Sequence, residues 1–363
     1  MNETDQSLRT LLMAWRDPYI DRTLGEIGAI QHLESSPAEI RLGLRLPVPV
    51  GGYQSDLRQL LGGALQRSGF AQELSLDLAT AIPSHAVQRP LKPLSGIRNI
   101  VAVGSAKGGV GKSTVAAQLA CSWAAMGARV GLLDADVYGP SQPTMFGVAG
   151  VKPETGGKQI LPVAAHGVKL MSIGFLVDQG QPVIWRGPMV TQALTQLLTE
   201  TRWGELDYLV LDLPPGTGDL QLTLAQKVPV AGSVVVTTPQ DIAVADARKG
   251  IAMFEKVSVA VLGVVENMST HVCSHCGHED AIFGTGGGER LAAERHVALL
   301  GRLPLDTRIR VGADAGQPAV LAAPGSPGAQ AWIELARHTA GALARRPRDR
   351  GGSFPNVVVE RAS

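Results

Sequence analysis

The stretch Lys107-Gly-Gly-Val-Gly-Lys-Ser-Thr114 constrains this chain more than any other. An apolar run, Asn99-Ile-Val-Ala-Val-Gly104, leads into it, and a helix-forming run, Val115-Ala-Ala-Gln-Leu-Ala120, leads out. Strand, glycine-rich turn and helix in that order build a cradle for phosphate. Gly108, Gly109 and Gly111 let successive backbone N–H groups turn inward, and the helix N-terminus adds a favourable dipole. In such a loop Lys112 brings positive charge to the β/γ-phosphates of ATP and Ser113 a hydroxyl for Mg²⁺, with Ala106, Val110 and Thr114 completing the nucleotide-contacting wall. The strict pattern begins with glycine where this chain has Ala106. Alanine tolerates positive φ poorly, so an ordinary φ is expected there.

At 363 residues the chain is too long for one small core, and 45% hydrophobic residues allow substantial burial. A net charge of +1 argues against a broad nucleic-acid-binding surface. Met1-Asn-Glu-Thr-Asp-Gln is polar and acidic, unlike a signal peptide, and no apolar run reaches membrane-spanning length. Of the three cysteines, two form a Cys-x-x-Cys, which fits a reducing compartment and metal binding better than a disulfide framework. The expectation is a soluble cytoplasmic protein with neither membrane nor nucleic acid as partner.

Residues 1–85 read as a small α/β domain. Helical periodicity covers Ser7–Arg16 and Ser55–Leu65, and strand-like alternation covers Ile27–Leu33, Glu39–Leu46 and Glu73–Leu78. Residues 86–95 read as a linker within the proline-bearing segment Pro83–Ser95. From residue 96 to 345 the rhythm is strand, loop, helix. Strands are expected at Ile100–Val103, Arg129–Leu133, Tyr208–Leu211, Ser233–Thr237, Val259–Val265 and Ala298–Leu303. Helices are expected at Thr114–Met126, Met189–Thr201, Ala243–Val257, Glu289–His296 and Gln330–Ala344. The strands are unbroken apolar runs, as in a mostly parallel sheet covered by helices on both faces. The charged tail, 346–363, lacks apolar periodicity and reads as flexible.

Ligands of an open parallel sheet gather at the carboxyl ends of its strands. Two acidic segments fall there. Leu132-Leu-Asp-Ala-Asp-Val-Tyr-Gly-Pro140 offers Asp134 and Asp136, the second as a water-positioning residue. Tyr208-Leu-Val-Leu-Asp212 places a carboxylate where Mg²⁺ is held through water, and Gly216 in the loop that follows can offer a backbone N–H to a γ-phosphate. Lys107, at the mouth of the loop, has three readings: solvated, touching the same nucleotide, or reaching a nucleotide in a facing subunit.

His271-Val-Cys-Ser-His-Cys-Gly-His278 holds Cys273 and Cys276 at a spacing that lets both thiolates meet one metal. A redox pair, a structural zinc site recruiting His271, His275 or His278, and an iron–sulfur site compete. A [4Fe–4S] cluster takes four thiolates, and a two-fold dimer repeats the pair to supply them. Cys121 lies in the apolar helix after the phosphate loop and reads as an inert small hydrophobe.

The phosphate loop, Asp-Ala-Asp at 134–136 and Asp-Leu-Pro-Pro-Gly-Thr-Gly-Asp at 212–219 together resemble the deviant Walker A ATPases, the MinD/ParA/nitrogenase iron-protein group. That resemblance implies a P-loop NTPase fold, a homodimer in which Lys107 crosses to the partner's nucleotide, and Asn267, in Glu266-Asn-Met-Ser269, as the adenine contact. With Cys273 and Cys276 added, the chain resembles the Mrp/ApbC family of iron–sulfur cluster carrier ATPases over roughly residues 96–325. This implies slow ATP hydrolysis, a labile [4Fe–4S] cluster bridging two subunits, and transfer to apo iron–sulfur client proteins with an assembly scaffold as a further partner. Against the Cys-Pro-x-Cys of the iron–sulfur carrier ATPases that this chain resembles, Ser274 would leave a backbone N–H free to bond a sulfur. The N-terminal block resembles a small domain of iron–sulfur assembly proteins. Its Leu46-Pro-Val-Pro-Val-Gly-Gly52 lacks the cysteine some versions carry, so docking rather than cluster ligation is expected. The competing readings are a positioning ATPase acting on membrane or DNA, with a structural zinc Cys-x-x-Cys, and a nitrogenase-like reductase.

Overall fold

The computed structural model describes residues 3–157, 159–176, 187–273 and 275–349. The first layer is small. Helix α1 (Glu3–Ala14) precedes a one-turn helix α2 (Leu24–Ile27), and strands β1 (Ile30–Ser35), β2 (Glu39–Leu46) and β3 (Glu73–Thr80) form one sheet, with helix α3 (Gln54–Arg67) crossing between β2 and β3. β1 lies antiparallel to β2, and β3 parallel to it. The expected strand at Ile27–Leu33 starts later because Thr23 and Glu26 close a reciprocal capping box around α2, and Gly28 ends it at φ 68°.

The second unit contains β4 (Ile100–Gly104), α4 (Lys112–Ala125), β5 (Val130–Asp134), α5 (Gln142–Met145), a small hairpin β6 (Thr155–Gly156) and β7 (Gln159–Ile160), β8 (Val163–Ala165) and β9 (Val168–Ser172). It continues with α6 (Gly187–Glu200), β10 (Tyr208–Asp212), α7 (Asp219–Lys227), β11 (Gly232–Thr237), α8 (Asp241–Lys256) and β12 (Val261–Glu266). A second hairpin, β13 (His271–Val272) and β14 (Glu279–Asp280), precedes α9 (Gly287–Glu294), β15 (Ala298–Arg302), α10 (Thr307–Asp314), α11 (Ala319–Ala322) and α12 (Pro327–Ala344).

The large sheet has the order β15-β12-β11-β4-β10-β5-β9-β8. Every pairing in it is parallel except β8 with β9. Strands β4, β5, β10 and β11 are buried at every position, because helices cover both faces. Trp123 of α4 stacks on Tyr208 of β10 with ring centroids 4.2 Å apart and donates its indole N–H to the Ala336 carbonyl of α12 at 3.0 Å. The P-loop helix is thereby held between sheet and final helix.

The segment read as a linker is fastened to the large unit. Gln88 is buried; its amide donates to the Ala225 and Val228 carbonyls at the end of α7 (2.7 and 2.6 Å) and accepts the Val230 N–H at 3.0 Å. The start of the tail also differs from its reading as flexible. Ala86 N–H donates to the Pro347 carbonyl and Asp349 N–H to the Ser84 carbonyl, each at 2.9 Å, so residues 346–349 pair with the chain before β4. The rest of the tail, 350–363, lies outside the described residues. No helix among the described residues is long and apolar enough to cross a membrane.

Candidate nucleotide and thiol site

The loop from Gly104 to Gly111 leaves the central strand β4 and starts α4. Gly109 and Gly111 have φ of 79° and 83°, while Ala106 is not among the residues at positive φ. The left-handed backbone at Gly111 demands glycine, and a side chain there would also have to displace the Asn267 amide, whose Nδ2 would lie 2.2 Å from it. Space around Gly108 and Gly109 is open. Ser105 Oγ donates to the Lys107 carbonyl at 3.0 Å, and the Lys107 side chain stands exposed.

Adjacent strands bring the carboxylates together. Asp212 at the end of β10 is the register partner of Asp134 at the end of β5. Both are fully buried. Lys112 Nζ bonds Asp212 Oδ1, lies 3.6 Å from Asp136 Oδ2, and donates to Ser113 Oγ at 3.1 Å. Asp134 accepts the Asp136 N–H and the Gln142 N–H, both at 3.2 Å, and the Ser172 hydroxyl at 3.0 Å. Burial, and then the negative charge of Asp212, push the Asp134 carboxyl up to about 7 against the opposing pull of Lys112. Burial likewise raises Asp136, whose Oδ1 is buried without a hydrogen-bond partner. Three carboxylates thus face one lysine, and an orphaned oxygen points to a missing cationic or water partner. This donor set suits Mg²⁺, a hard cation that takes oxygen ligands and keeps several waters.

Two expected contacts are spent within the chain. Gly216, at φ 104°, donates its N–H to the Ser105 carbonyl at 2.9 Å, so offering it to a phosphate requires the 212–219 loop to move. Asn267 lies beside the phosphate loop, where its Nδ2 donates to the Val110 carbonyl at 2.9 Å. Neighbouring Glu266 is buried, accepting the Gly288 N–H at 2.6 Å and the Ser269 hydroxyl at 3.0 Å, which ties the Asn267 turn to the start of α9. Sequence reasoning did not single out Glu266 or Gln142, since neither carries a motif of its own.

Cys273 and Cys276 occupy the turn between β13 and β14. The Cys273 N–H donates to the His278 carbonyl and the Gly277 N–H to the Cys273 carbonyl, both at 2.9 Å, and Gly277 takes φ 72°. Cys276 is exposed and Cys273 half-buried. Hydrogen bonds from the backbone of Cys276, then that of His275, then the Cys276 side chain lower the Cys273 thiol, favouring thiolate. The His271 ring bonds the Leu305 carbonyl at 3.2 Å. Among the described residues no third Cys, His, Asp or Glu joins the pair in a metal-binding group. Ser274 lies outside the described residues, and with it the expected backbone bond to a sulfur. Cys121 is buried, its thiol pushed up to about 12 by burial alone.

The hairpin follows β12, the phosphate loop β4, and the acidic segments β5 and β10, so all open onto the carboxyl edge of one sheet. Large apolar side chains stand exposed in the same set of connections: Tyr138 (70%), Ile242 (65%) and Ile282 (54%).

Residues 96–340 match the ParA family, described as NUBPL iron-transfer P-loop NTPase. An iron-sulfur cluster carrier protein of Pseudomonas fragi is 57% identical over 279 residues, covering 76% of this chain and 97% of the relative. One of Escherichia coli K12 is 45% identical over 353 residues, covering 94% and 96%. A solved nucleotide-binding protein of Archaeoglobus fulgidus in complex with ADP is 40% identical, with a TM-score of 0.56 over 62% of this chain and 89% of that one.

Proposed function

The chain belongs to the NUBPL iron-transfer P-loop NTPase family, and we propose that it is an ATP-binding and slowly hydrolysing iron–sulfur cluster carrier that works as a homodimer. One observation carries the cargo reading. Cys273 and Cys276 stand as an isolated thiol pair on a hairpin at the sheet edge that also bears the phosphate loop. A [4Fe–4S] cluster takes four thiolates, so two copies facing each other across this edge complete its ligand set. The exposed Tyr138, Ile242 and Ile282 suit a surface that a second copy covers.

The nucleotide chemistry follows from the residues around the loop. The N–H groups of residues 108–114, with Ala106 before them, wrap the phosphates, and Lys112 exchanges its carboxylate partners for phosphate oxygens. Ser113 Oγ and, through water, Asp212 hold Mg²⁺, which when bound spreads the charge developing on the transferred phosphoryl group. Asp136 orients the attacking water, Asn267 meets the base, and exposed Lys107 reaches the partner's nucleotide. Freed from Ser105, Gly216 N–H reports the γ-phosphate to the 212–219 loop. The cluster passes to apo iron–sulfur proteins, and the N-terminal domain is a docking module for clients or scaffold.

The test is anaerobic reconstitution with iron and sulfide, followed by metal and acid-labile sulfide analysis and mass determination in solution. The expected product holds ~4 iron and ~4 sulfide per two chains, and Cys273→Ala or Cys276→Ala abolishes it. A fully loaded monomer, or zinc held equally well in air, overturns the reading.

A further inference from the structure

Gln142 begins a single turn of helix yet is completely buried, an unusual place for an amide without a task. Its Nε2 donates to Asp212 Oδ2 at 2.8 Å and to the Ser113 carbonyl at 2.9 Å. Its backbone N–H donates to Asp134 Oδ2 at 3.2 Å. Both partners of Nε2 are acceptors, so the amide orientation is fixed: the donor faces Asp212 and the oxygen faces away. That oxygen, Oε1, is buried without a partner. One residue thus joins the phosphate loop, the magnesium-site carboxylate and the Asp134 carboxylate.

We propose that Gln142 is a positioning residue for the magnesium site: it holds Asp212 by Oδ2 and pins that carboxylate to the phosphate loop through Ser113. The two oxygens of Asp212 have divided duties. Oδ1 bonds Lys112, a group that phosphate draws away; Oδ2 bonds Gln142, which is neutral and has no competing phosphate attraction. When Lys112 turns to the nucleotide, Gln142 is the donor that keeps the carboxylate plane fixed. Hydrogen-bond partners of metal ligands commonly contribute 10–100-fold to metal affinity.

The inference rests on the nucleotide reading above, and its test separates the two. ADP is titrated by calorimetry into full-length wild type, Gln142→Met and Gln142→Asn, with and without Mg²⁺. Manganese replaces magnesium in a parallel spectroscopic count of nucleotide-dependent bound metal. Methionine keeps the volume and removes the donor; asparagine keeps the amide but withdraws it by one methylene. Both variants are expected to lose about 10-fold or more of the metal-dependent tightening, with metal-free ADP affinity within about twofold of wild type. Equal weakening with and without metal, or unchanged tightening, overturns the role of Gln142. A wild type in which metal does not tighten ADP overturns the site reading itself.

Discussion

At the scale of single residues, the phosphate loop lysine has a second task. Among the described residues Lys112 is the one cation set among Asp134, Asp136 and Asp212, and its side chain is only 6% exposed. Removing one partner of a buried ion pair costs about 3–5 kcal/mol because the other charge is left uncompensated. Lys112→Ala should therefore lose stability without any nucleotide, by about 3 kcal/mol at pH 8 in chemical unfolding. The loss should shrink toward pH 5.5. Asp134 has a raised carboxyl, at about 7 in the folded chain against an ordinary 3.8. Between those values the folded state binds the extra proton, so the strain of burying its charge is relieved as pH falls and restored as pH rises through about 7. A loss independent of pH would show that the carboxylates do not depend on Lys112 for their charge balance. Gly111, Lys112, Asp136 and Asp212 were singled out in the sequence because each is tied to a motif spacing. Gln142 was not, because what makes it matter is a contact across 70 residues. The Gly216 bond to Ser105 escaped for the same reason, since backbone pairing between loops leaves no mark on composition.

At the scale of elements, strands buried on both faces were readable as apolar runs, and β4, β5, β10 and β11 fall where those runs lie. The β8–β9 hairpin was missed. Val163–Ala165 and Val168–Ser172 are short and interrupted by His166-Gly167, and only pairing with β5 makes β9 a strand of the main sheet. Helix α7 was missed because Pro214-Pro-Gly-Thr-Gly218 reads as loop, and its end is capped from afar by Gln88. The segment before β4 shows how an apparent linker becomes structure. His85 is buried; its backbone N–H donates to Asn99 Oδ1 at 3.1 Å, and its Nδ1 lies 2.8 Å from the same oxygen. Asn99 Nδ2 donates to the Pro83 and Asp207 carbonyls, so Asn99 Oδ1 is an acceptor and Nδ1 of His85 carries the proton. The other ring nitrogen, Nε2, is buried with no partner, and charging it would place an N–H⁺ against nothing. Burial accordingly lowers the His85 pKa, with Arg348 and Arg346 adding to the effect against the bond to Asn99. Below an unfolded value near 6.5 the unfolded chain binds the proton more readily, so this contribution is present above that pH and fades as pH falls. His85→Gln keeps a donor for Asn99 and removes the titration. Wild type should therefore lose more stability than the variant between pH 7.5 and 5 in urea unfolding at constant ionic strength; parallel curves would refute this.

At the scale of the whole molecule, the question is how the N-terminal sheet is held to the nucleotide unit. Arg337 of α12 is the central contact. It is 8% exposed, lies 4.9 Å from the Tyr53 ring centre and 5.5 Å from that of Tyr19, pairs with Asp56 at 3.1 Å and donates to the Gly52 carbonyl at 2.8 Å. Tyr53 in turn donates its hydroxyl to Asp17 at 3.0 Å, so one guanidinium gathers two segments of the small domain, 17–19 and 52–56. Two glycines permit the close approach: a side chain at Gly341 would meet the Tyr19 carbonyl at 2.1 Å, and one at Gly51 the Met126 backbone at 2.7 Å. The Gly51 N–H donates to the Met126 carbonyl at 3.1 Å, immediately beyond the last turn of α4, whose first turn is the phosphate loop. The small domain is therefore connected to the phosphate loop by one helix of 14 residues. Arg337→Ala should release the small domain while leaving the phosphate loop intact. Asp56 is half-exposed and recovers water, so the loss comes mainly from the Gly52 bond and the two ring contacts, about 2–3 kcal/mol. Arg337→Lys keeps the charge but loses the planar fork that stacks and bonds at once, and should recover less than half of that loss. Hydrogen exchange at α3 and β3 should accelerate in the alanine variant, with ADP affinity within about twofold of wild type. Unchanged protection of α3 and β3 would mean the two units are held by other contacts, and an equal collapse of ADP binding would mean that the small domain is part of the nucleotide unit's own core.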